Sequence, residues 1–210
     1  MTISASQNKP RTAPPEVRRK QLIDATIKCI AKGGISGTTL KAIAKEAGLS
    51  LGLANFHFKT KDMLLSETLK HLADEHREMW VRDVCSDDLS PADKLRSIIN
   101  AQFHARICSR KKLSVWFAFF GEATHRESYR LLTSQIDIER QENCAELCAD
   151  IIAEGAYVNI DAEETALTLE GMFDGLWLNM LMYPAKFTRE KAARQVLDYL
   201  GLVFPRHFGA

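Results

Sequence analysis

The chain has 210 residues, and its 28 Lys and Arg nearly balance its 27 Asp and Glu, which gives a formal net charge of +1. This balance excludes histone-like and ribosomal proteins, while a hydrophobic content of 46% indicates a globular fold. No apolar run reaches the roughly 18 residues of a membrane span, and the polar N-terminus does not resemble a signal peptide. Five irregularly spaced cysteines suit reduced thiols, so we expect a cytoplasmic protein with no membrane partner.

The charge is unevenly distributed along the chain. Residues 1–62 contain eleven Lys and Arg against four Asp and Glu, a net charge of +7, whereas the other 148 residues carry −6. Such asymmetry is typical of a basic module that binds a polyanion, joined to an acidic module with a different task. A surplus of solvated surface lysines would give the same count, so the motifs have to decide.

The spacing of apolar residues predicts an all-α protein of about nine helices, because no alternating pattern long enough for a sheet occurs. Gly33 and Gly34 are expected to end the first helix, and Ser90 followed by Pro91 is expected to begin the fifth. Residues 1–15 are polar and rich in proline, and we expect a disordered basic arm there. The predicted helices cover 16–32, 40–48, 51–58, 61–81, 91–108, 112–123, 125–154, 161–183 and 188–203.

Two short helices separated by a glycine turn form the pattern of a helix-turn-helix. Ala44 is small enough for the second helix to cross it closely, and Gly48 permits the left-handed backbone of a sharp turn. Leu49 and Ala54 would fill the angle between the two helices. In such a motif the second helix presents its first residues to base edges in the major groove, while flanking groups bind phosphates.

The segment from Thr38 to Leu65 resembles the DNA-binding signature of the TetR family of repressors. The resemblance rests on the turn glycine, on Ser-x-Gly at 50–52, on His-Phe at 57–58 and on the lysine that begins the next helix. It implies a helix-turn-helix DNA-binding domain over 16–62, a ligand-binding and dimerisation domain over 63–210, and a pseudo-palindromic operator in double-stranded DNA. The implied DNA-facing residues are Thr39, Lys41, Ser50, Leu51, Gly52, Asn55, Phe56, His57 and Lys61.

The chemistry of these side chains suits that implication. Hydroxyl groups, an imidazole and an ammonium group can bind phosphates, and Gly52 allows a close approach to DNA. Leu51 and Leu53 offer apolar contacts to thymine methyl groups rather than bidentate hydrogen bonds. Asn55 stands where the family often has Tyr, which indicates either a contact with adenine or a different operator. Phe58 is expected in the hydrophobic core.

Two aromatic segments, Trp-Phe-Ala-Phe-Phe at 116–120 and Phe-Asp-Gly-Leu-Trp at 173–177, distinguish the C-terminal part. A carboxylate beside Trp177 in an apolar helix is costly unless it is paired. Asp174 could join Trp116, Phe120 and Trp177 in a cage for a cation that cannot donate hydrogen bonds. A packed core in which Asp174 caps or bridges a neighbouring helix is the competing interpretation. The candidate ligand-binding residues are Trp116, Phe119, Phe120, Glu122, Tyr129, Asp174 and Trp177.

These segments, together with Tyr-Arg-Leu-Leu at 129–132, resemble the C-terminal domain of the BetI-type repressors, which respond to choline and control glycine betaine synthesis. The resemblance implies choline or a related quaternary amine as inducer. It also implies a homodimer, for which we expect the last two long helices to form a four-helix interface. The apolar residues predicted there are Leu167, Leu169, Phe173, Leu176, Leu197, Leu200 and Val203.

No constellation of catalytic residues, metal ligands or cofactor-binding residues is evident, so we expect no enzyme, no metal site and no cofactor. His71 and His76 lie on different faces of a helix, and the pair Cys144 and Cys148 is best interpreted as small buried residues.

Three alternatives remain open. The chain could be a TetR-type repressor of other genes with an unrelated small apolar ligand, or a helix-turn-helix module whose C-terminal half only dimerises. It could also be a helical enzyme that uses Asp174, Glu122 and His104.

Overall fold

The computed structural model describes residues 13–123 and 127–209, and within these ranges the chain forms eleven α-helices and no strand. Nine of the helices have seven residues or more, which confirms the predicted all-α fold. The helices are α1 Pro15–Gly33, α2 Leu40–Glu46, α3 Leu51–His57, α4 Lys61–Glu78, α5 Val81–Val84, α6 Pro91–Gln102, α7 Arg110–Ala123, α8 Glu127–Gly155, α9 Ala162–Met182, α10 Arg189–Val203 and α11 Pro205–Phe208.

The structure differs from the predicted elements at a few points. Helices α5 and α11 are single turns that were not predicted, and most of the predicted arm lies outside the described residues. Helix α6 ends at Gln102, earlier than predicted, and in the turns that follow the backbone N–H of Arg106 donates to the ring Nδ1 of His104. That local hydrogen bond competes with continuation of the helix.

The helix-turn-helix is built by capping and by one left-handed glycine. The hydroxyls of Thr39, Ser50 and Thr60 each accept a backbone N–H of the first helical turn, at 3.1 Å, and so fix the starts of α2, α3 and α4. Gly48 has a φ of +66°, and the next backbone N–H donates to the carbonyl oxygen of Ala44 at 2.9 Å. The predicted turn is therefore confirmed.

Helix α1 holds this N-terminal unit together by packing against α2, α3 and α4. Phe58 is buried beneath it, as predicted, and the guanidinium of Arg19 lies 4.4 Å from the centre of the Phe58 ring. The same guanidinium donates to the carbonyl oxygen of His57 at 3.2 Å and to Glu67 at 2.8 Å. Arg19 thus ties α1 to the end of α3 and to α4.

Two helices carry the N-terminal unit on the remainder of the protein. Helix α4 buries Leu64, Leu65 and Leu69 near its start, and then packs against α8 further along. Helix α7 packs against α1 on one side and against α8 and α9 on the other. Helices α4 and α7 therefore both contact the N-terminal unit as well as helices of the C-terminal part.

Helices α8 and α9 form the centre of the C-terminal part, where they pack against one another and against α7. The free thiols of Cys144 and Cys148 are fully buried there, which confirms their interpretation as core residues. Burial raises the pKa of the Cys148 thiol to about 12, so that it stays protonated. Over the described ranges, no helix combines the length and apolar character needed to cross a membrane.

The predicted dimer face is wrong for four of its seven residues. Leu169, Phe173, Leu176 and Leu200 are buried inside the protomer itself, because a helical spacing cannot distinguish a stripe that faces the protein's own core from one that faces a partner. Helices α9 and α10, with the residue that follows α9, instead expose five large apolar side chains: Leu167, Leu178, Met182, Tyr183 and Leu202.

We expect Gly48→Ala to lower the free energy of unfolding by about 1–2 kcal/mol, because a Cβ is strained at positive φ. The space around Gly48 is open, with no atom within 4 Å of an added Cβ, so the cost is conformational. Gly52→Ala, inside α3, is the control and should leave stability unchanged or raise it by up to about 1 kcal/mol. Urea unfolding measures both, and equal effects would contradict the role of the left-handed turn.

Candidate functional site

The outer surface of the helix-turn-helix is formed by one side of α3. At 100° per residue, Leu51, Gly52, Asn55 and Phe56 fall within an arc of about 140°, and all four are exposed. Ala54, on the opposite side, is completely buried. The structure thus brings four of the predicted DNA-facing residues onto one surface.

The predicted phosphate-binding hydroxyls also cap helices. Thr39 and Ser50 use an oxygen lone pair to accept a backbone N–H, which leaves each hydroxyl hydrogen available for a phosphate. Both residues are exposed, as are Lys41, Lys45 and Lys59 near them in the chain. The surface around α3 is therefore rich in positive charge and in donors.

Lys61 and His57 are the two predicted DNA-facing residues that are half-buried. The ammonium group of Lys61 donates to the carbonyl oxygen of Ile35 at 3.0 Å, which ties the turn after α1 to the start of α4. An ammonium group has three donors, so two are left for a phosphate. The sequence did not reveal this structural role of Lys61, whose contact with DNA stays a prediction.

A narrow pocket with a cavity volume of about 20 Å³ lies between α4, α6, α7, α8 and α9. This is room for about one water molecule, so a larger guest requires the lining side chains to move apart. The residues that line it are His76, Gln102, Trp116, Phe120, Asp137, Arg140, Phe173, Asp174 and Trp177.

Aromatic rings form one wall of the pocket. The ring centres of Trp116 and Trp177 are 6.1 Å apart, and Phe120 lies 5.9 Å from Trp116. The indole N–H of Trp177 donates to the backbone carbonyl of Gln102 at 2.9 Å, which fixes the orientation of that ring. The wall is therefore held by packing and by a buried hydrogen bond before any ligand arrives.

A buried guanidinium and its carboxylates form the opposite wall. Arg140 is only 5% exposed and donates to both carboxylate oxygens of Glu170 and, at 3.0 Å, to Asp137. Burial by itself would lower the pKa of Arg140, but the hydrogen bonds to Glu170 and the two nearby carboxylates raise it. The guanidinium is therefore fully charged, and its Nε and Nη2 donors are committed to Glu170 and Asp137.

Asp174 is the exposed member of the lining, and among the described residues it has no hydrogen-bond or ion-pair partner. Removal of water raises the pKa of its carboxyl group, and the charges of Asp137 and Glu170 raise it further against the opposing effect of Arg140. With three carboxylates around one guanidinium, this region has an excess of two negative charges. The arrangement favours a positively charged guest at Asp174.

Two buried polar atoms of the lining are unsatisfied within the described protein. His76 and Gln102 are each 1% exposed, and the Nε2 atoms of both lack a hydrogen-bond partner. Burial lowers the pKa of His76 to about 3, with a smaller contribution from the charge of Arg140, so that its ring is neutral at physiological pH. Unsatisfied buried polar groups are uncommon in folded proteins and point to a missing guest or to water.

The structure brings together four of the seven predicted ligand-binding residues: Trp116, Phe120, Asp174 and Trp177. Phe119 and Tyr129 instead pack edge to face at 5.4 Å, both fully buried, and they are not part of the lining. Glu122 is half-buried towards the end of α7 and is likewise not among the described lining residues. The cage interpretation of the sequence thus identifies the aromatic half of the pocket.

The polar half was missed by sequence reasoning. Its members are His76, Gln102, Asp137 and Arg140, and they come from α4, α6 and α8, which carry no aromatic motif. His76 was considered only as a metal ligand. The described residues contain no group of three or more His, Cys, Asp or Glu that could hold a metal ion.

Comparison with known proteins gives consistent matches over both halves of the chain. Residues 22–68 match the family model for bacterial regulatory proteins of the tetR family, and residues 91–205 match the model for the C-terminal part of BetI-type transcriptional repressors. The HTH-type transcriptional regulator BetI of Paraburkholderia xenovorans is 33% identical over 197 residues, covering 92% of this chain and 97% of that protein. The corresponding protein of Burkholderia thailandensis is 32% identical over 199 residues, with coverages of 92% and 97%.

Solved structures of similar fold include a putative transcriptional regulator from Pseudomonas aeruginosa. It is 26% identical, with a TM-score of 0.80 and coverages of 93% of this chain and 94% of that one. A putative transcriptional regulator from Saccharomonospora viridis, solved in complex with choline, has a TM-score of 0.78 at 20% identity, with coverages of 88% and 96%. At that identity the second likeness shows the fold alone.

We expect His76 to make stability depend on pH below about 6.5. Its pKa is about 3 when folded and 6.5 when unfolded, so between these values the unfolded chain binds a proton that the native protein does not. The free energy of unfolding then falls as the pH falls, by about 1 kcal/mol between pH 6.5 and 5.5 from this group. His76→Gln should lack that component, while urea unfolding of both proteins should run parallel above pH 7.5. Parallel curves down to pH 5.5 would contradict the burial of a neutral ring.

Proposed function

This chain belongs to the TetR family of transcriptional regulators, within its BetI-type group, and on that basis we propose a repressor whose inducer is a small organic cation of the choline type. The observation that carries the proposal is Asp174, a carboxylate without a partner among the described residues, beside the aromatic wall of the pocket. A quaternary ammonium group is attracted to ring faces and to a carboxylate, and it makes no demand for hydrogen bonds. Both of the pocket's attractive features would be used by such a group.

The charge around the pocket supports a cation over other ligands. The charge of Arg140 is compensated by its ion pairs with Glu170 and Asp137. An anionic ligand would face the remaining negative charge, and a purely apolar one would leave Asp174 desolvated without compensation. The alternative of an unrelated apolar ligand is therefore disfavoured by the chemistry of the lining.

The unsatisfied atoms of His76 and Gln102 indicate a polar group in the ligand as well as its cationic group. An amide and a neutral imidazole can each present a donor or an acceptor, depending on amide orientation and tautomer. A hydroxyl group is both donor and acceptor, so it can satisfy either arrangement. We infer a ligand with a cationic end at Asp174 and a hydroxyl-type oxygen at His76 and Gln102.

The position of His76 suggests how a ligand would reach the DNA-binding unit. The preceding residue, Glu75, binds Arg106 at 2.8 Å and also Lys112, so this turn of α4 is clamped to the segment from α6 to α7. A ligand oxygen on His76 would pull on the same turn of α4, whose first half packs in the helix-turn-helix. Release from DNA requires that the ligand bind the two positions of α4 with different affinity.

We further propose that the repressor acts in the cytoplasm as a homodimer on a pseudo-palindromic operator. The exposed apolar residues of α9 and α10 would be covered by the same residues of a second copy, since an isologous interface repeats one surface on both subunits. Thr39, Lys41, Ser50 and Lys61 would bind phosphates, with His57, while the outer side of α3 meets the bases.

The enzyme alternative has little support. It needs Glu122 and His104 to act with Asp174, yet neither is among the described residues that line the pocket. His104 instead accepts a backbone N–H in the turn after α6. The chain is a regulator by family, and we propose no catalytic step.

We expect Asp174→Asn to weaken choline binding by about 10-fold or more. A charge pair 5 Å apart at an effective dielectric constant of 20 contributes about 3 kcal/mol, of which desolvation offsets a part. DNA binding without ligand should persist, because the substitution is far from α3 in the chain and leaves the core intact. Titration calorimetry and a mobility-shift assay with and without choline measure the two properties.

Asp150→Asn is the matched control, since Asp150 is exposed on α8 and outside the pocket lining. It removes the same charge from the protein. Equal choline affinity in the two variants and the wild type would overturn the assignment of the cation site.

We expect the wild type to bind choline more tightly than ethyltrimethylammonium, which has the same shape without the hydroxyl. The difference should be about 5- to 100-fold, the range for a hydrogen bond to buried groups that are otherwise unsatisfied. Gln102→Met preserves the length of the side chain, removes its polar atoms and should reduce this preference. A wild-type protein that does not distinguish the two cations would contradict the role of Gln102 and His76, whatever the result at Asp174.

A further inference from the structure

The outer side of α3 is almost without hydrogen-bonding side chains. Its four members are Leu51, Gly52, Asn55 and Phe56, and Asn55 alone carries polar atoms in its side chain. The seven residues of α3 contain no Arg or Lys. The bidentate contact with guanine that is the most frequent specific contact in the major groove is therefore not available from this helix.

The two apolar side chains on this surface are exposed to solvent. Phe56 is 77% exposed and Leu51 is 43% exposed. The ring of Phe56 has one aromatic neighbour among the described residues, His57, whose ring centre is 5.2 Å away in an edge-to-face arrangement. Packing within the protomer does not cover the phenyl ring or the leucine side chain, so both are available for contact with a partner surface.

We propose that this protein selects its operator through the 5-methyl groups of thymines, with Leu51 and Phe56 each contacting one in every half-site and Asn55 reading an adenine between them. In the major groove the thymine methyl is the one apolar group on the edge of the four standard bases. The carboxamide of Asn55 can pair with N6 and N7 of adenine. The reading surface therefore fits a segment rich in A·T pairs.

Gly52 makes this contact geometrically possible. The nearest atom to an added Cβ at this position is the hydroxyl oxygen of Ser50, at 4.0 Å, so the position is open and the backbone of α3 can approach the base edges without an intervening side chain. A close approach is needed because a methyl contact extends over a much shorter range than a charge. Leu51 and Asn55 are one helical turn apart, and both lie on the same side of Gly52.

The affinity for DNA and the choice of sequence then come from different residues. Lys41 and Lys45 are exposed on α2, and Lys59 is exposed just after α3. In this proposal they supply contacts with phosphates that do not depend on sequence. The apolar pair and Asn55 supply the discrimination. This inference rests on the proposed operator binding, and its test separates the two.

The experiment replaces thymine by deoxyuridine, which removes the methyl group and keeps every hydrogen bond of the base pair. The full-length protein first selects its operator from random duplexes at fixed salt. Each thymine of the selected half-site is then replaced in turn, and affinity is measured by fluorescence anisotropy. We expect two positions per half-site at which the replacement weakens binding about fourfold, the value of one buried methyl-sized group, and little effect elsewhere.

Variants assign each methyl to its side chain. Phe56→Ala should abolish the deoxyuridine effect at one position, and Leu51→Ala at the other, since a lost side chain no longer senses the lost methyl. Both residues are exposed, so neither substitution removes a core contact. Lys41→Ala is the matched control and should weaken binding equally to thymine and deoxyuridine duplexes.

The outcomes are distinct. A selected operator whose affinity is unchanged by deoxyuridine at every position, or an effect that persists in both alanine variants, overturns the inference and leaves the repressor function standing. Failure to select any DNA sequence overturns the repressor function and the inference with it.

Discussion

The buried guanidinium of Arg140 is the group on which the chemistry of the C-terminal part depends. A buried charge is stable only with partners of opposite charge. The loss of one partner would lower the free energy of unfolding by about 3–5 kcal/mol. Glu170 and Asp137 provide those partners and lie on α9 and α8, the two helices at the centre of this half of the protein. The same requirement leaves Asp174, one turn beyond Glu170, as the carboxylate that the ion cluster does not use. The proposed cation site thus depends on how the protein satisfies its own buried charge.

Helix α4 connects the pocket with the helix-turn-helix. Its first half is part of the core of the helix-turn-helix, and its second half lines the pocket through His76. A rigid helix shared by two units cannot shift at one end without repacking the other, because close-packed cores are not continuously deformable. An allosteric coupling of this kind needs a free-energy difference of only about 1–3 kcal/mol between the two arrangements of the helix. The proposed ligand hydrogen bond at His76, if formed in one arrangement only, would be of that size.

The sequence predicts the helix-turn-helix well because its signals are local. Thr39, Ser50 and Gly48 act within four residues of their own positions, and caps and a left-handed glycine are visible in any sequence. The aromatic half of the pocket was also predictable, since Trp116 and Phe120 stand one turn apart.

The polar half was not predictable, because its partners are far apart in the chain. Arg140 and Glu170 are 30 residues apart, and Trp177 donates to a carbonyl 75 residues away. Periodicity identifies which side of a helix is apolar, yet it does not say which helix faces it. The misassigned dimer face has the same origin: α9 has apolar residues on more than one side, and only the packing of α7 and α8 decides which of them are internal.

The near-zero net charge of the chain is the sum of a basic N-terminal part and an acidic C-terminal part. In the proposed repressor, a DNA-binding unit that gains affinity from phosphates needs an excess of lysines, whereas a pocket for an organic cation needs uncompensated carboxylates. The chain carries +7 and −6 in the corresponding parts. The acidic part also repels a duplex, so that DNA approaches the basic N-terminal unit. Because lysine contacts are indifferent to sequence, affinity and selectivity can change independently. Substitutions on the outer side of α3 can then redirect the protein to another operator without altering the ligand that releases it.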